Sequence, residues 1–421
     1  MKRLFAIAIA CACSLAAPAA AQDLLIRGAT VHTADAAGTL KDHDVLVRGG
    51  VIRAIGRDLP APAGAAVVEA GGRPLTPGLF AGLSGLGVEE VSGEAATVDG
   101  NLALGTLVPP QQAVWRPEFD LDLAFNPASM AIPVSRIEGL SFTVLAPGAV
   151  PGGSLLAGQG SAFVLDGSHA PLAGSRSLFI NLGSDVSPLS GGSRAGQWML
   201  LEQAVSDARN GSDELLTRAG RAALARYLDG GRVVFHVDRA ADIRQTLAFA
   251  RRHGIRPVIA GGAEAWQVAD ELRAAGAPVL LDPLLNLPYD FDRLGARLDN
   301  AARLHRAGVT VAFSQSGDAT HNARKIRQLA GNAVANGLPW EAGLAGLTSA
   351  PARIFGIRDR GRIAVGQVAD LVLWSGDPLE VTSLAQQMWL AGKPVPMRSR
   401  QTELRDRYLV PSGELPRAYV K

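Results

Sequence analysis

Cysteine is almost missing from this chain: of 421 residues only Cys11 and Cys13 carry a thiol, and both fall in the first 22 positions. That segment, MKRLFAIAIACACSLAAPAAAQ, has the layout of a secretory signal. Lys2 and Arg3 form the positive end, Leu4 to Ala17 the apolar run and Ala19-Ala20-Ala21 the small-residue cleavage site. Ala8-Ile9-Ala10 ahead of Cys11 match a lipid-attachment site poorly. Cleavage after Ala21 leaves no thiol, which excludes disulfides, thiolate zinc sites and a cysteine nucleophile. The apolar run covers about 14 residues, short of the ~20 of a spanning helix, and no later stretch is long and apolar enough to span. The expectation is an exported protein, periplasmic or secreted, with no membrane association after signal cleavage.

Excess charge is lacking as well. Lys and Arg number 41 against 39 Asp and Glu, and losing Lys2 and Arg3 with the signal brings the balance to 39 against 39. No basic stripe of the kind a nucleic-acid partner requires runs along the sequence. No lysine occurs between Lys41 and Lys325. The nucleophile-elbow pattern G-x-S-x-G, the dinucleotide pattern GxGxxG and the Gly-Lys-Ser/Thr ending of a phosphate loop are absent. The glycine-rich run from Pro147 to Gly160 therefore reads as loops. No repeat of 20–50 residues is visible, which excludes a solenoid. With 48% hydrophobic and 19% charged residues the composition is that of an ordinary globular chain, long enough for one large and one smaller domain.

What is present is periodicity. LLIRGATVHT and DVLVRGGVIRAIG, within residues 24–58, alternate apolar and polar positions, and the RGG turn predicts a β-hairpin. A similar β pattern returns in GRIAVGQVADLVLW and MWLAGKPV, so both chain ends predict one small β domain. Between them, strands RVVFHV (232–237), RPVIAG (256–261), PVLLD (278–282) and VTVAFS (309–314) alternate with helical spacing over Ala241–His253, Glu264–Ala275, Leu294–Arg306 and His321–Asn336. Strands joined by long crossovers predict a parallel sheet with helices outside. SFTVLAP and RSLFINLG fit earlier members of the series, and a span of about 280 residues suits a closed eight-fold barrel. The stretch 85–135, with its prolines and glycines, reads as a long loop over the barrel mouth.

Four stretches carry a family resemblance: LLIRGATV…DVLVRGGVIRAIG with GGRPLTPGL; NPASMAIPVSRIEGLSFTVLAPG with GGSLLAGQGSAFVLDG; the His236 strand with the segment after it; and GLTSAPARIFGI…GRIAVGQVADLVLW with LAGKPV. Together they resemble the amidohydrolase superfamily, most closely its imidazolonepropionase-like branch. The resemblance implies an α/β fold, a (β/α)8 TIM-like barrel with a small β-sandwich domain built from both chain ends. It divides the chain into a signal peptide (1–21), a first sandwich part (22–77), the barrel (78–357) and a second sandwich part with a C-terminal tail (358–421). It also implies hydrolysis of non-peptide amide or cyclic amide bonds by water bound to one or two divalent metals, whose pKa falls from ~15.7 toward ~7.

Carried over residue by residue, the ligand set thins. The family's first-strand pattern P-G-L-I-D-x-His-x-His meets Pro77-Gly78-Leu79-Phe80-Ala81-Gly82-Leu83-Ser84-Gly85, with Leu83 and Gly85 at the histidine positions. No lysine is available to bridge two metals. Gly261 or Gly262 occupies the place of the sixth-strand histidine, and Ser316 that of the last-strand aspartate, with Asp318 two residues on. His236 is the sole family ligand retained. A divalent metal such as zinc then requires a rearranged site from His236, Asp318 and His321; otherwise no cofactor is expected. The candidate catalytic residues are His236, Asp238 and Asp318, the first two sharing a strand face for metal-free acid/base work. These residues leave two readings. One is an exported amidohydrolase-type hydrolase with a degraded site, by descent a carbon–nitrogen hydrolase. The other is an inactive protein that binds a small molecule, forms a homo-oligomer or pairs with an intact amidohydrolase relative.

Overall fold

The computed structural model describes residues 23–104, 115–212 and 214–409; the signal-like segment and both cysteines lie outside them. Five strands open the chain: β1 (Leu24–His32), β2 (Thr39–Arg48), β3 (Val51–Gly56), β4 (Ala66–Glu69) and β5 (Pro74–Pro77). The RGG turn makes the expected hairpin. Arg48 faces Val51 across Gly49-Gly50, both at positive φ as a two-residue turn of matching twist requires.

Nine strands come next: β6 (Leu79–Ser84), β7 (Leu140–Leu145), β8 (Leu156–Gly160), β9 (Ala162–Val164), β10 (Ser177–Asn181), β11 (Arg232–Val237), β12 (Arg256–Gly261), β13 (Val279–Leu281) and β14 (Val311–Phe313). The chain ends with β15 (Leu371–Trp374), β16 (Ala385–Leu390) and β17 (Lys393–Pro394). These three complete the first sheet in the order β17-β16-β15-β5-β1-β2-β3, with β4 on β1. Antiparallel pairing of β15 with β5, Leu371 opposite Pro77, is what joins the two chain ends. Beside that seam the buried carboxylate of Asp370 accepts from the Ala391 N–H at 2.7 Å and pairs with Arg360.

The middle of the chain is a mixed α/β body. β10 to β14 run parallel in sequence order, and β6 lies parallel to β7. One strand departs from the all-parallel expectation. β8 and β9, separated only at Ser161, run antiparallel to β10 and β7 respectively, so the glycine-rich run read as loops contributes a strand linking the two sheets. Eight strand positions result. Among the described residues no ladder joins β14 to β6; they meet where the Leu83 N–H donates to Ser314 Oγ at 3.0 Å.

Alternation along the strands sorts side chains into two layers. Val233, Phe235 and Val237 face the outer helices, whereas Val234 points inward to a cluster shared with Phe80, Phe142, Phe179, Val258, Leu280 and Ala312. Every strand position from β6 to β14 supplies this interior, and Phe355 closes it from below. The barrel is filled. Helices outside are shorter than the periodicity predicts. The one expected from Glu264 opens as a tight turn, Ala265–Val268, before Ala269–Ala274. Glu264 is occupied elsewhere: it accepts from the Ala240 N–H at 2.9 Å, capping helix Ala240–Arg252, and from the Gly295 N–H at 2.8 Å. The second bond ties down the segment expected to be helical from Leu294, and its helix begins only at Asn300.

Phe80 and Phe142 stack at 5.1 Å between ring centroids, fully buried. Phe80→Ala is expected to lower unfolding free energy by about 3–5 kcal/mol, measurable by guanidinium denaturation.

Candidate binding site at the barrel mouth

The C-terminal ends of the parallel strands open on a cavity of about 600 Å³. β6 brings Leu83 and Gly85, β10 brings Asn181, β11 brings His236 and Asp238, β12 brings Gly261, and the segment after β14 brings Ser314 to Thr320. Residues 89–101 fold over one side through Glu89, Val98 and Asn101. His236, Asp238, Ser316 and Asp318 therefore share one cavity. His321 does not line it and faces solvent.

His236 sits inward at the end of β11, in register with Asn181. Among the described residues its ring has no hydrogen-bond partner, and burial alone pushes its pKa down to about 4. It is a neutral imidazole across the physiological range. Asp238 does not meet it. Its carboxylate accepts from Arg293 Nε at 2.9 Å and from the Ala263 N–H at 3.1 Å, and Arg293 also holds Asp290 at 2.6 Å. Burial pushes the Asp238 carboxyl up, against the opposing pull of Arg293. Asp292 receives the Ser184 N–H at 2.7 Å and pairs with Arg194. Asp282, at the end of β13, accepts from the Ser316 N–H at 2.8 Å and is also pushed up by burial.

Other contacts fill the positions that the resemblance assigns to histidines, Leu83, Gly85 and either Gly261 or Gly262. Leu83 is buried in the apolar interior cluster. The Gly85 N–H donates to Thr320 Oγ1 at 2.9 Å, and that hydroxyl donates to Glu89 Oε2 at 2.7 Å. A Cβ at position 85 would stand 2.8 Å from Thr320 Oγ1 and 3.0 Å from Glu89 Oε2. At Gly261 the backbone is left-handed, φ +91°, and a Cβ would stand 2.6 Å from Asp238 Oδ1. Neither place admits a larger side chain without moving a hydrogen-bonded carboxylate.

Two polar atoms in this region are buried without partners, Asn181 Nδ2 and Gln315 Oε1. One is a donor and the other an acceptor, so the mouth offers both halves of a hydrogen-bond pair. Its charged lining is mostly acidic: Glu89, Asp185, Asp238, Asp290, Asp292 and Asp318 against Arg293. Sequence reasoning passed over Asn181, Gln315, Glu89 and Arg293. Strand alternation is a signal for Asn181, two residues beyond the inward Phe179; Arg293 lies in a segment with no periodicity.

A family model described as the amidohydrolase family matches residues 230–396. The crystal structure of an amidohydrolase from Thermotoga maritima superimposes with a TM-score of 0.76 at 25% identity, covering 89% of this chain and 100% of that one. An adenine deaminase from Deinococcus radiodurans is 28% identical over 353 residues, 83% of this chain. The amidohydrolase tasK of Hapsidospora irregularis is 37% identical over 90 residues, 21% of this chain. The chain spans 58% of the length of the first of these two curated relatives and 9% of the second.

The imidazole of His236 is expected not to titrate between about pH 5 and 8, as followed by NMR. Protonation in the unfolded chain near 6.5, against about 4 when folded, places its stabilising contribution fully above pH 6.5. That contribution is lost as the pH falls toward 4, by up to about 3 kcal/mol. His236→Gln should flatten the difference in this window, read from denaturation curves at successive pH values.

Proposed function

We propose that this chain, which belongs to the amidohydrolase superfamily, keeps the scaffold of a carbon–nitrogen hydrolase but uses its barrel mouth to bind a small polar molecule without a catalytic metal. The observation that carries this reading is the rebuilt surroundings of Gly85 and Gly261. Water activation by zinc needs about three protein donors and an open position. Leucine and glycine have no side-chain donor atom, and the space beside both glycines is held by Thr320, Glu89 and Asp238. The residues present do not fit the metal centre that the superfamily pattern implies.

Metal-free hydrolysis is disfavoured on the same geometry. A general base works best with a pKa near the operating pH, whereas burial holds His236 near 4. Asp238, its nearest candidate partner along the strand, is engaged by Arg293. What remains is recognition chemistry. Asn181 Nδ2 and Gln315 Oε1 supply a donor and an acceptor, His236 adds a neutral ring, and the acidic lining favours a neutral or cationic ligand over an anion. The signal-like layout of residues 1–21 supports action outside the cytoplasm. Among the described residues no helix is long and apolar enough to cross a membrane.

Elemental mass spectrometry of the mature protein, after incubation with zinc and manganese and desalting, tests the reading. No stoichiometric metal is expected, and no difference between the native chain and His236→Ala. One or more equivalents that disappear in the variant would overturn it. Gly85→His should lower stability by about 1–3 kcal/mol through overpacking, and Leu83→His should lower it further by burying a polar ring among apolar side chains, both read by thermal unfolding with and without zinc.

A further inference from the structure

A second cavity, about 1040 Å³, lies at the opposite end of the barrel. Arg232 and Arg256 open β11 and β12, and Pro278 and Thr310 directly precede β13 and β14, so this is the floor beneath the N-terminal strand ends. The segment after helix Ser349–Ile354 and residues 34–36 of the β1–β2 turn complete its wall. Six arginines line it, Arg232, Arg256, Arg353, Arg358, Arg360 and Arg362, against a single carboxylate, Asp35.

Most of this charge is uncompensated. Arg362 lies 3.6 Å from Asp35, and Arg360 pairs with Asp370 and lies 3.9 Å from Asp359, its buried Nε making no hydrogen bond. Among the described residues Arg232, Arg256, Arg353 and Arg358 make no ion pair. Arg232 and Arg256 are direct register partners on adjacent parallel strands, where neighbouring backbones lie about 4.8 Å apart. Arg232 is buried, and its Nη1 donates only to the carbonyls of Gly174, Ser175 and Arg176 at 3.2, 3.1 and 3.4 Å. Burial and then the charge of Arg256 push its pKa down to about 10. Like charges held together in a concave site lower their energy when an anion enters, and the guanidinium fork matches phosphate oxygens two at a time.

We propose that this arginine-lined floor cavity binds a small molecule carrying two or more phosphate groups. The concave floor and the small net charge of the whole chain, 41 basic against 39 acidic residues, favour a compact polyanion over a nucleic-acid strand, which needs an extended basic track. The site is separate from the mouth, because the interior cluster of Phe80, Phe142, Phe179 and Phe355 fills the barrel between them.

Isothermal titration of the full mature chain with inorganic tripolyphosphate tests the proposal. Saturable binding is expected, weakening as salt rises. The exposed pair Arg353→Gln with Arg358→Gln should weaken it by about tenfold or more, and Arg293→Gln at the mouth should leave it unchanged. A nucleoside triphosphate binding more tightly than tripolyphosphate would support the site and identify its ligand as a nucleotide. Absence of binding at low ionic strength, binding indifferent to the double substitution, or binding of heparin without tripolyphosphate would each overturn the proposal. Because Arg353 and Arg358 are exposed, their neutral variants keep the fold, and circular dichroism verifies this before titration.

Discussion

The structure depends on the barrel being packed solid. Phe80, Phe142, Phe179 and Phe355 meet in the middle with the inward valines and alanines of the other strands. Side chains there are excluded from water, and each buried aromatic contributes on the order of 2–3 kcal/mol from apolar area alone. A filled interior also has a topological effect. It divides the body into two ends that share strands but no solvent path, so each end acquires its own electrostatic character.

At the mouth, the side-chain contacts form a mutually consistent set. Gly85 lets Thr320 approach the backbone, the Thr320 hydroxyl donates a hydrogen bond to Glu89, and Leu83 joins the apolar interior while its N–H donates to Ser314. Across the opening, Gly261 leaves room for Asp238, which is held in turn by Arg293 beside Asp290. A half-satisfied polar network costs more than an apolar one, and here most polar atoms have partners. Removing a single metal ligand from an intact site would leave unpaired donors. This network instead closes around Gly85, where a Cβ would stand 2.8 Å from Thr320 Oγ1.

The fold was legible because its signals are local. The Gly49-Gly50 hairpin, the β11 and β12 runs and the helix over Ala240–Arg252 arise from spacing within a few residues of one another. The antiparallel β8–β9 strand was not legible, since Leu156–Gly160 is rich in glycine and its pairing with β7 and β10 is settled by distant partners. Helix starts at Glu264 and Leu294 were misplaced for a related reason: Glu264 reaches Ala240 and Gly295, bonds no periodicity contains. Of the site, His236 and the departure of Leu83 and Gly85 from the superfamily's histidine pattern could be read from a resemblance. Asn181 was within reach of strand alternation. The arginine floor was not, because its members are scattered from 232 to 362 and form no stripe until the strands align.

Strand β11 carries the tension between burial and charge along one face. Arg232, Val234 and His236 alternate inward, which puts a guanidinium at the floor, an apolar side chain in the packed centre and an imidazole at the mouth, about 13 Å from end to end. Burial opposes positive charge at both ends, and both pKa values are pushed down. At the mouth the histidine relieves this by losing its proton. At the floor arginine cannot do so at any physiological pH, and the neighbouring Arg256 adds to the cost. A floor that served only to close the barrel would be more stable with a neutral residue at 232, since uncompensated buried charge destabilises a fold. An anion that binds the folded chain and not the unfolded one offsets that cost in proportion to its occupancy. The floor arginines are therefore understandable as the resting half of a charge pair whose other half arrives as a ligand.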